Sequence, residues 1–517
     1  MLRKRNKIIA AFLTFLCITA HAQQKGFFKI YEDNEESWCA SSVVETSDGS
    51  FLVSLFDYYG GAAKLVKLSE DGTLLNEVVL PTDDMYSNIE GVFCAPQNEN
   101  LFYGIGHVIH RNEDISLPII VHLDKNLNLL YTKEIDLPNS YRKFGMARAL
   151  LIPNDSFIYA ASLDASNAYH RLYMSISLDG DLENFHEESE GCGSDVMVNA
   201  IFKFPQSLRY GEYRNSYKHQ GSLAEQQRLF GFDEDFVFDT IHEYESIEQT
   251  SNDTTYSIVH YSVANGTALP FGDSTLLFSD RALEGWKKLS SGITFRTDRS
   301  TLLFSTDLEG NIHNYLIIGS GNDTVEYPIA FNAIDFVKPI KGEAQREVIY
   351  HGCFGTNNGY IPSPSPYNIT LTKTDGTLNL IWQRSYTHPS KFLQATNLIA
   401  TRDEGCLVVG GAFENGHYDF FALKINAEGI VGTNEIIAES LPSFVYYPNP
   451  TQDQLHLQYS PDVKPRQVEL YDLQGRLMRA QQSDLEHIGM QGLATGQYLM
   501  KVTLEDGKVY SDKVVKE

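Results

Sequence analysis

Two groups of side chains in this sequence could hold a metal ion. The run from Asp233 to Asp239 carries four carboxylates, and carboxylate oxygens are the ligands that Ca²⁺ prefers. The run lacks the glycine and the alternating oxygen ligands of an EF-hand loop, and it stands where neighbouring repeats have a turn. We therefore interpret it as a solvated hairpin turn, with Ca²⁺ binding as the alternative.

The second group is His107, His110 and His122, whose imidazole nitrogens are common metal ligands. Successive side chains of a β-strand point to opposite faces, so His107 and His110, three residues apart, would not share a face. A joint metal site is therefore disfavoured. The sequence assigns no catalytic, metal-binding or cofactor-binding residue and predicts no cofactor.

The sequence also lacks the short motifs of common hydrolases, namely His-Glu-x-x-His and Gly-x-Ser-x-Gly. A glycosidase needs two carboxylates roughly 5–9 Å apart, and 67 acidic residues single out no pair. A non-enzymatic protein is favoured. A secreted hydrolase or lyase acting on polysaccharide or peptide stays an alternative.

Tyrosine offers a different chemistry. Tyr and Phe number 29 each against three Trp, and Tyr58, Tyr59 and Tyr360 fall in Gly-rich loops. An exposed tyrosine ring can stack on a sugar or contact a partner chain. These loops connect the second and third strands of a repeat and so gather on one face, which predicts a binding face for a glycan or a protein.

The element that positions these loops is a repeat of four short strands. Its clearest copies begin at Ser42 and Asn397 and place Gly in the turns between strands. The third strand recurs seven times at a spacing of roughly 54 residues, apart from two longer steps. Its copies lie around Leu65, at Ile119–Leu123, Leu172–Leu178, Arg228–Phe232, Leu302–Ser305 and Ile369–Lys373, and around Phe421.

Such a repeat predicts an all-β chain whose main domain is a β-propeller with about seven blades over residues 23–442. Each small sheet buries its faces by packing radially on its neighbours. Because residues 245–340 repeat poorly, six or eight blades remain open. A pair of tandem β-sandwiches is the alternative fold.

The last part of the chain, residues 443–517, has its own pattern. Residues 454–459, 467–471 and 497–502 alternate polar and apolar side chains, which predicts half-buried strands of a small Ig-like β-sandwich. Four motifs occur there in order. They contain Tyr447, Pro448, Asn449 and Pro450; Gly475; Gly496 and Tyr498; and Lys513, Val514, Val515 and Lys516.

These motifs resemble the type A C-terminal sorting domain of the type IX secretion system of Bacteroidota. The resemblance implies export across the outer membrane by that system, with the secretion machinery as the partner of the tail. It also implies removal of the tail and release of the remainder or its attachment to lipopolysaccharide at the cell surface. The preceding repeats resemble, more loosely, those often found beside such tails.

The beginning of the chain agrees with export. Four basic residues, Arg3 to Lys7, precede an apolar run at 8–18, and Ala20 and Ala22 form a small-x-small cleavage site before Gln23. This predicts a signal peptide at 1–22, which is too short to cross a membrane. No other stretch is long and apolar enough, so the sequence predicts no transmembrane segment.

Charge and cysteine content narrow the partners. Removing four basic residues with the signal peptide takes the net charge from −26 to −30. So acidic a chain argues against nucleic acid and anionic membrane as partners. Five scattered cysteines remain, Cys39, Cys94, Cys192, Cys353 and Cys406, and predict buried side chains rather than a disulfide framework.

Three functions therefore remain open. They are a secreted or surface binding protein, a secreted enzyme with a site in the central channel, and a structural adhesin-type component of the surface. The first is favoured because the chain offers tyrosine-bearing loops and no catalytic motif.

Overall fold

The structure is a computed structural model of the chain. It describes residues 26–516 apart from internal stretches at 34, 59–60, 81–84, 111–114, 140–143, 153–155, 164–170, 189–197, 218–224, 245–246, 252–253, 261–266, 289–291, 294–297, 319–330, 339–346, 356–367, 432–436, 441–443, 448–450, 460–463, 473–475 and 506–508. The predicted signal peptide, with Ala20, Ala22 and Gln23, lies outside the described residues.

The first strand, β1 (Phe27–Tyr31), pairs with a strand far along the chain. Four sheets follow, each of four consecutive antiparallel strands. Sheet 1 contains β2 (Trp38–Glu45), β3 (Phe51–Asp57), β4 (Ala63–Leu68) and β5 (Leu74–Val79). Sheet 2 contains β6 (Met85–Cys94), β7 (Leu101–His110), β8 (Ile115–Asp124) and β9 (Leu129–Glu134). Sheet 3 contains β10 (Phe144–Leu151), β11 (Ser156–Leu163), β12 (Arg171–Ser177) and β13 (Leu182–Glu188). Sheet 4 contains β14 (Val198–Lys203), β15 (Tyr210–Tyr217), β16 (Glu225–Phe232) and β17 (Phe238–Tyr244).

The next three sheets depart from this plan. Sheet 5 contains β18 (Ile247–Ser251), β19 (Thr254–His260), β20 (Thr267–Phe271), β21 (Thr275–Lys288), β22 (Gly292–Ile293), β23 (Asp298–Thr306) and β24 (Ile312–Ile318). Sheet 6 contains β25 (Phe331–Phe336), β26 (Ile349–Gly355), β27 (Asn368–Thr374) and β28 (Leu380–Thr387). Sheet 7 contains β29 (Phe392–Ala400), β30 (Cys406–Glu414) and β31 (His417–Ile425), and β1 is its fourth strand.

These sheets are arranged as a closed propeller. The first strands of neighbouring sheets contact one another in turn, with β20 in this place for sheet 5, and β29 of sheet 7 contacts β2 of sheet 1. Within the described residues there are seven such sheets before the tail, and every described element is a strand or a turn. The all-β propeller prediction is confirmed, and each predicted third strand overlaps the third strand of a sheet.

The pairing of β1 with β31 closes the ring. Phe27 to Tyr31 pair antiparallel with Lys424 to Phe420, so the start of the described chain completes the last sheet. Phe27 packs in the apolar layer between sheets 7 and 1, whereas Phe28 packs in the layer between sheets 6 and 7. Closure therefore stabilises two layers as well as one sheet edge.

The same turn follows the third strand in all seven described sheets. Its fourth residue has a positive φ: Gly72, Leu127, Gly180, Phe236, Gly310, Leu378 and Gly429. This matches a type I turn closed by a left-handed residue. Leu127, Phe236 and Leu378 are buried, so burial of a large side chain compensates the strain that glycine would avoid.

The acidic run forms this turn in sheet 4, between β16 and β17. The Asp233 carboxylate accepts the N–H groups of Asp235 and Val237 at 3.1 and 3.0 Å. Asp239 pairs with Arg209. Two of the four carboxylates are thus engaged in turn and ion-pair contacts, as expected of a solvated hairpin.

In the chain, β32 (Ile437–Ser440) follows sheet 7 and precedes the tail. It pairs antiparallel with β28 and makes sheet 6 five-stranded. The tail then begins with β33 (Phe444–Tyr447), so three residues separate the two strands. The boundary between domains at 442 and 443 stays a prediction.

The described residues of the tail form a β-sandwich of seven strands in two sheets. A three-stranded sheet contains β33, β34 (Gln454–Tyr459) and β37 (His487–Gly489). A four-stranded sheet contains β35 (Pro465–Asp472), β36 (Leu477–Gln481), β38 (Gly496–Leu504) and β39 (Val509–Lys516). Leu457, Leu470, Ile488, Met500 and Val514 form part of the core between them. The three alternating segments of the sequence are β34, part of β35 and part of β38.

Candidate functional site

One end of the propeller, which we call the loop face, carries the connections between sheets and between second and third strands. Tyr58 lies there, just after β3, and is 47 % exposed. Its ring is 4.6 Å from the ring of Tyr418, which begins the third strand of sheet 7. The two tyrosines therefore form an aromatic platform across the junction of sheets 7 and 1.

Further aromatic and polar contacts hold the two tyrosines of the platform in position. Phe413 lies 4.8 Å from Tyr418, and Phe56 lies 6.3 Å from Tyr58, between ring centroids. The Tyr418 hydroxyl donates to Gln394 Oε1 at 3.0 Å, and the Tyr58 N–H donates to the Ser37 carbonyl at 2.7 Å. Both rings are thus positioned before any ligand arrives, which lowers the entropy cost of binding.

A charged cluster, which we call the closure cluster, lies beside the platform: Asp33, Ser37, Trp38, Lys64, His417 and Asp419. The Asp33 carboxylate accepts from Trp38 Nε1 at 2.9 Å and from Lys64 Nζ at 3.2 Å. Lys64 Nζ also lies 4.3 Å from the Trp38 ring centroid, within cation–π range. The connection between β1 and β2 is thereby fastened to sheet 1.

Asp33 also binds sheet 7. Its N–H donates to Asp419 Oδ1 at 3.1 Å, and its carbonyl lies 2.6 Å from His417 Nε2. Burial acts to raise the pKa of the Asp33 carboxyl. Hydrogen bonds from the Glu35 N–H, Lys64 and Trp38 outweigh burial and hold that pKa below its ordinary value, so Asp33 is ionised at neutral pH.

Lys391, at the start of sheet 7, completes the neutralisation of this cluster. Its Nζ lies 3.0 Å from Asp419 Oδ2 and 3.5 Å from Glu414 Oε2. Burial acts to lower the pKa of Lys391, and Asp419 and Glu414 raise it above its ordinary value. The inner carboxylates are therefore matched by lysines, and Lys391 Nζ also lies 3.8 Å from the exposed Glu32, whereas Glu35 and Glu36 are exposed on the same connection between β1 and β2.

The closure cluster contains a serine, a histidine and an aspartate, but their geometry is not that of a nucleophilic triad. Ser37 Oγ is 3.0 Å from His417 Nδ1, and His417 Nε2 is 3.4 Å from Asp419 Oδ1. Ser37 is only 4 % exposed, and its Oγ accepts the Tyr418 N–H at 3.3 Å. A substrate carbonyl could not reach that oxygen, so these contacts join sheets rather than activate a nucleophile.

The three histidines weighed in the sequence make separate contacts. His107 Nδ1 lies 2.6 Å from Glu90, His110 Nε2 lies 3.0 Å from Glu134, and His122 Nε2 lies 2.7 Å from the Leu178 carbonyl. No group of three or more potential metal ligands occurs among the residues that the structure describes.

Of the predicted binding residues, Tyr58 is on the loop face, and Tyr59 and Tyr360 lie outside the described residues. Cys39 and Cys406 are buried in strands, and Cys94 is half-buried. Cys192 is outside the described residues, as is the side chain of Cys353.

Sequence reasoning missed Tyr418, Asp33 and Lys391. Asp33 and Asp419 are 386 positions apart, so no local pattern links them. The one available signal was the turn at Asn415 and Gly416, which places the next residues, His417 and Tyr418, on the same face as Tyr58.

A second unusual feature lies between sheets 5 and 6. His351 is fully buried, and neither ring nitrogen has a hydrogen-bond partner among the described residues. Thr372, directly opposite His351 on β27, and Ser279 on β21 are likewise buried with unpaired hydroxyls. Burial lowers the pKa of His351 to about 3, so this imidazole is neutral in the folded protein.

In the tail, the structure pairs two of the sequence motifs directly. Gly496 faces Lys516 and Tyr498 faces Val514 across β38 and β39. The Tyr498 hydroxyl donates to the Ala494 carbonyl at 2.7 Å, and Val514 is buried in the core. Tyr447 ends β33 in the other sheet, whereas Pro448, Asn449, Pro450 and Gly475 lie outside the described residues.

A propeller followed by such a sandwich defines an all-β protein with a separate C-terminal module. Residues 445–517 match the family described as the secretion system C-terminal sorting domain. The tail is thus a type IX sorting domain, and such a tail implies export and contact with the type IX secretion machinery. Within the described residues, no helix is long and apolar enough to cross a membrane.

No curated protein matches the sequence. Three solved structures illustrate its structural similarities. The β-propeller domain of the trilobed protease from Pyrococcus furiosus is 7 % identical, with a TM-score of 0.39, covering 77 % of this chain and 98 % of that chain. The WD40 domain of Toxoplasma gondii coronin is 8 % identical, with a TM-score of 0.39 and coverages of 80 % and 89 %. A member of the DUF4221 family from Bacteroides vulgatus is 10 % identical, with a TM-score of 0.36 and coverages of 81 % and 100 %. At these scores the likenesses carry no argument about function.

Proposed function

We propose that this exported protein is a non-enzymatic binding protein whose propeller holds a glycan on its loop face, with a protein ligand as the alternative. The exposed ring of Tyr58, supported by the tilted ring of the buried Tyr418 at 4.6 Å, is the observation that carries this proposal. An exposed aromatic ring offers a sugar ring an apolar face, and polar groups beside it can bind the sugar hydroxyls. The protein would act at the cell surface or in the surrounding medium.

The charge around the platform limits the ligand. Lys64 and Lys391 are engaged by Asp33 and Asp419, and the exposed side chains beside them are carboxylates. A polyanionic glycan would be repelled there. The proposed ligand is therefore a neutral or amine-bearing glycan, and binding of a neutral glycan should depend little on salt concentration.

Replacing Tyr58 by alanine should weaken ligand binding on the order of tenfold, since the mutation removes the exposed half of the platform. The measurement is a pull-down with the exported full chain against immobilised glycans and surface proteins at several salt concentrations, followed by titration of any ligand found. Tyr315→Ala is the matched control, because Tyr315 is also an exposed tyrosine, 52 %, but lies on the outer strand of sheet 5. Failure of the wild-type chain to bind anything, or equal binding by both variants, would overturn the proposal.

Removal of Asp512 to Glu517 should retain the protein in the periplasm of its host, because these residues include the whole Lys513–Lys516 motif, which pairs with Gly496 and Tyr498. Fractionation of cells that produce the truncated chain would measure this. The control is Leu130→Thr, which changes an exposed leucine on the outer strand of sheet 2 and should leave export unchanged. Normal appearance of the truncated chain outside the cell would contradict the role of the tail.

A further inference from the structure

The four-stranded sheet of the tail carries a row of apolar side chains on its outer face. Leu477 on β36, Tyr471 on β35 and Leu499 on β38 lie directly opposite one another. Leu477 is 51 % and Leu499 45 % exposed. On either side of Leu499 in β38, Tyr498 and Met500 are buried in the core. Because successive side chains of a strand point to opposite faces, Leu499 points outward.

The other faces of the sandwich differ from this one. The inner faces of both sheets are buried in the common core. The outer face of the three-stranded sheet presents Gln454, His456 and His487, and its strand β34 contacts β28 of the propeller. The row Leu477–Tyr471–Leu499, which we call the apolar row, is thus an apolar strip on the tail's described surface, and Met478, next to Leu477 on β36, is also 42 % exposed.

The apolar row adjoins the residues that match the sorting motifs. Leu499 follows the motif residue Tyr498 and pairs with Lys513 of the last motif. The next row of the sheet contains Glu469 and Lys501, whose charged atoms are 3.1 Å apart. Because this ion pair neutralises both charges, the face offers a partner apolar contact more than charge.

We propose that the apolar row is the surface by which the tail docks on an apolar strip of the secretion machinery. This inference rests on the sorting role of the tail. It assigns contact with the secretion machinery to side chains that are outside the sorting motifs. Exposed apolar side chains in a continuous row are a feature of binding surfaces, and their burial against a partner is favourable. Because the contact is apolar, its strength should change little with salt concentration.

The test is an export assay with the double variant Leu477→Thr/Leu499→Thr in the full chain. Threonine introduces a β-branched side chain, which suits a strand, at each position and removes most of the apolar surface. The ratio of exported to periplasmic protein should fall at least tenfold, while thermal unfolding of the purified variant should match the wild type. Leu75→Thr/Leu130→Thr is the matched control, because Leu75 and Leu130 are exposed leucines, 53 % and 59 %, on outer strands of the propeller.

The chain lacking Asp512 to Glu517 belongs in the same assay. Retention of the truncated chain together with normal export of Leu477→Thr/Leu499→Thr would overturn the docking row and leave the sorting role intact. Export of both would overturn the sorting role itself. Retention of the double variant with an unchanged unfolding temperature supports the docking row, whereas retention with a clearly lowered unfolding temperature attributes the loss to folding and overturns it.

Discussion

Replacement of Phe28 by alanine should lower the free energy of unfolding of the propeller by about 3–5 kcal/mol, the usual cost of emptying a buried phenylalanine site. Phe28 is 3 % exposed, and its ring lies 6.1 Å from Phe421 and 5.7 Å from His388, between centroids. The mutation leaves a gap in the layer between sheets 6 and 7 and weakens the strand that closes the ring. Denaturant unfolding followed by the fluorescence of the buried Trp38 and Trp382 measures the change.

The matched control for Phe28 is Tyr315→Ala, which removes an exposed aromatic ring and should change stability by less than about 0.5 kcal/mol. Equal stability of Phe28→Ala and the wild type would show that β1 is not needed to hold the propeller together. Deletion of β1 should have a larger effect than Phe28→Ala, because it also exposes the edge of β31.

The second large effect is acid destabilisation through His351. Its pKa is about 3 in the folded protein and ordinarily 6.5, so between these values the unfolded chain binds a proton that the folded protein does not. The stabilisation from a neutral His351 is therefore complete above pH 6.5 and is lost as the pH falls toward 3. From pH 7 to pH 5 this one residue should remove about 2 kcal/mol of unfolding free energy.

Comparison of variants isolates this contribution. The variant His351→Gln has no titrating group at this position. Between pH 7 and pH 5, the fall in its unfolding free energy should therefore be smaller than the fall in the wild type, and the difference between the two should be about 2 kcal/mol. His313→Gln is the control for the substitution itself, since it places the same amide side chain at a largely exposed histidine. Burial acts to lower the pKa of His107, but Glu90 raises it above the ordinary value. His107 therefore stabilises the folded protein more as the pH falls, and this effect is the same in the wild type and in both variants. An identical pH dependence in His351→Gln and the wild type would contradict the assignment.

Much of the fold could be predicted because its signals are local. Turn residues such as Gly72 and strand alternation such as Gln497 to Val502 depend on neighbours in sequence, and the structure has a turn and a strand there. The third strands could be placed for the same reason. In sheet 5, where β21 extends over 14 residues and pairs with several strands, the repeat spacing fails.

The site could be predicted only in part, because its contacts are distant in sequence. Tyr58 was identifiable from its loop, but its partner Tyr418 lies far along the sequence, in sheet 7. Nothing near His351 in the sequence indicates that this histidine is buried without a hydrogen-bond partner. Its surroundings are created by the pairing of β26 with β25 and β27 and by the packing of β21 of sheet 5 against β25, which only the folded protein specifies.

The pairing of β1 with β31 also has a kinetic consequence. Phe28 pairs with Leu423, and Asp33 bonds to Asp419 across 386 positions, so the first described strand can pair only after almost the whole propeller sequence has been made. Proteins dominated by such distant pairings fold slowly. While β1 is undocked, the edge of β31 is open, and β1 of one molecule could complete sheet 7 of another, giving a strand-exchanged dimer. A chain that crosses a membrane before it folds would leave the edge of β31 unpaired until transport is complete.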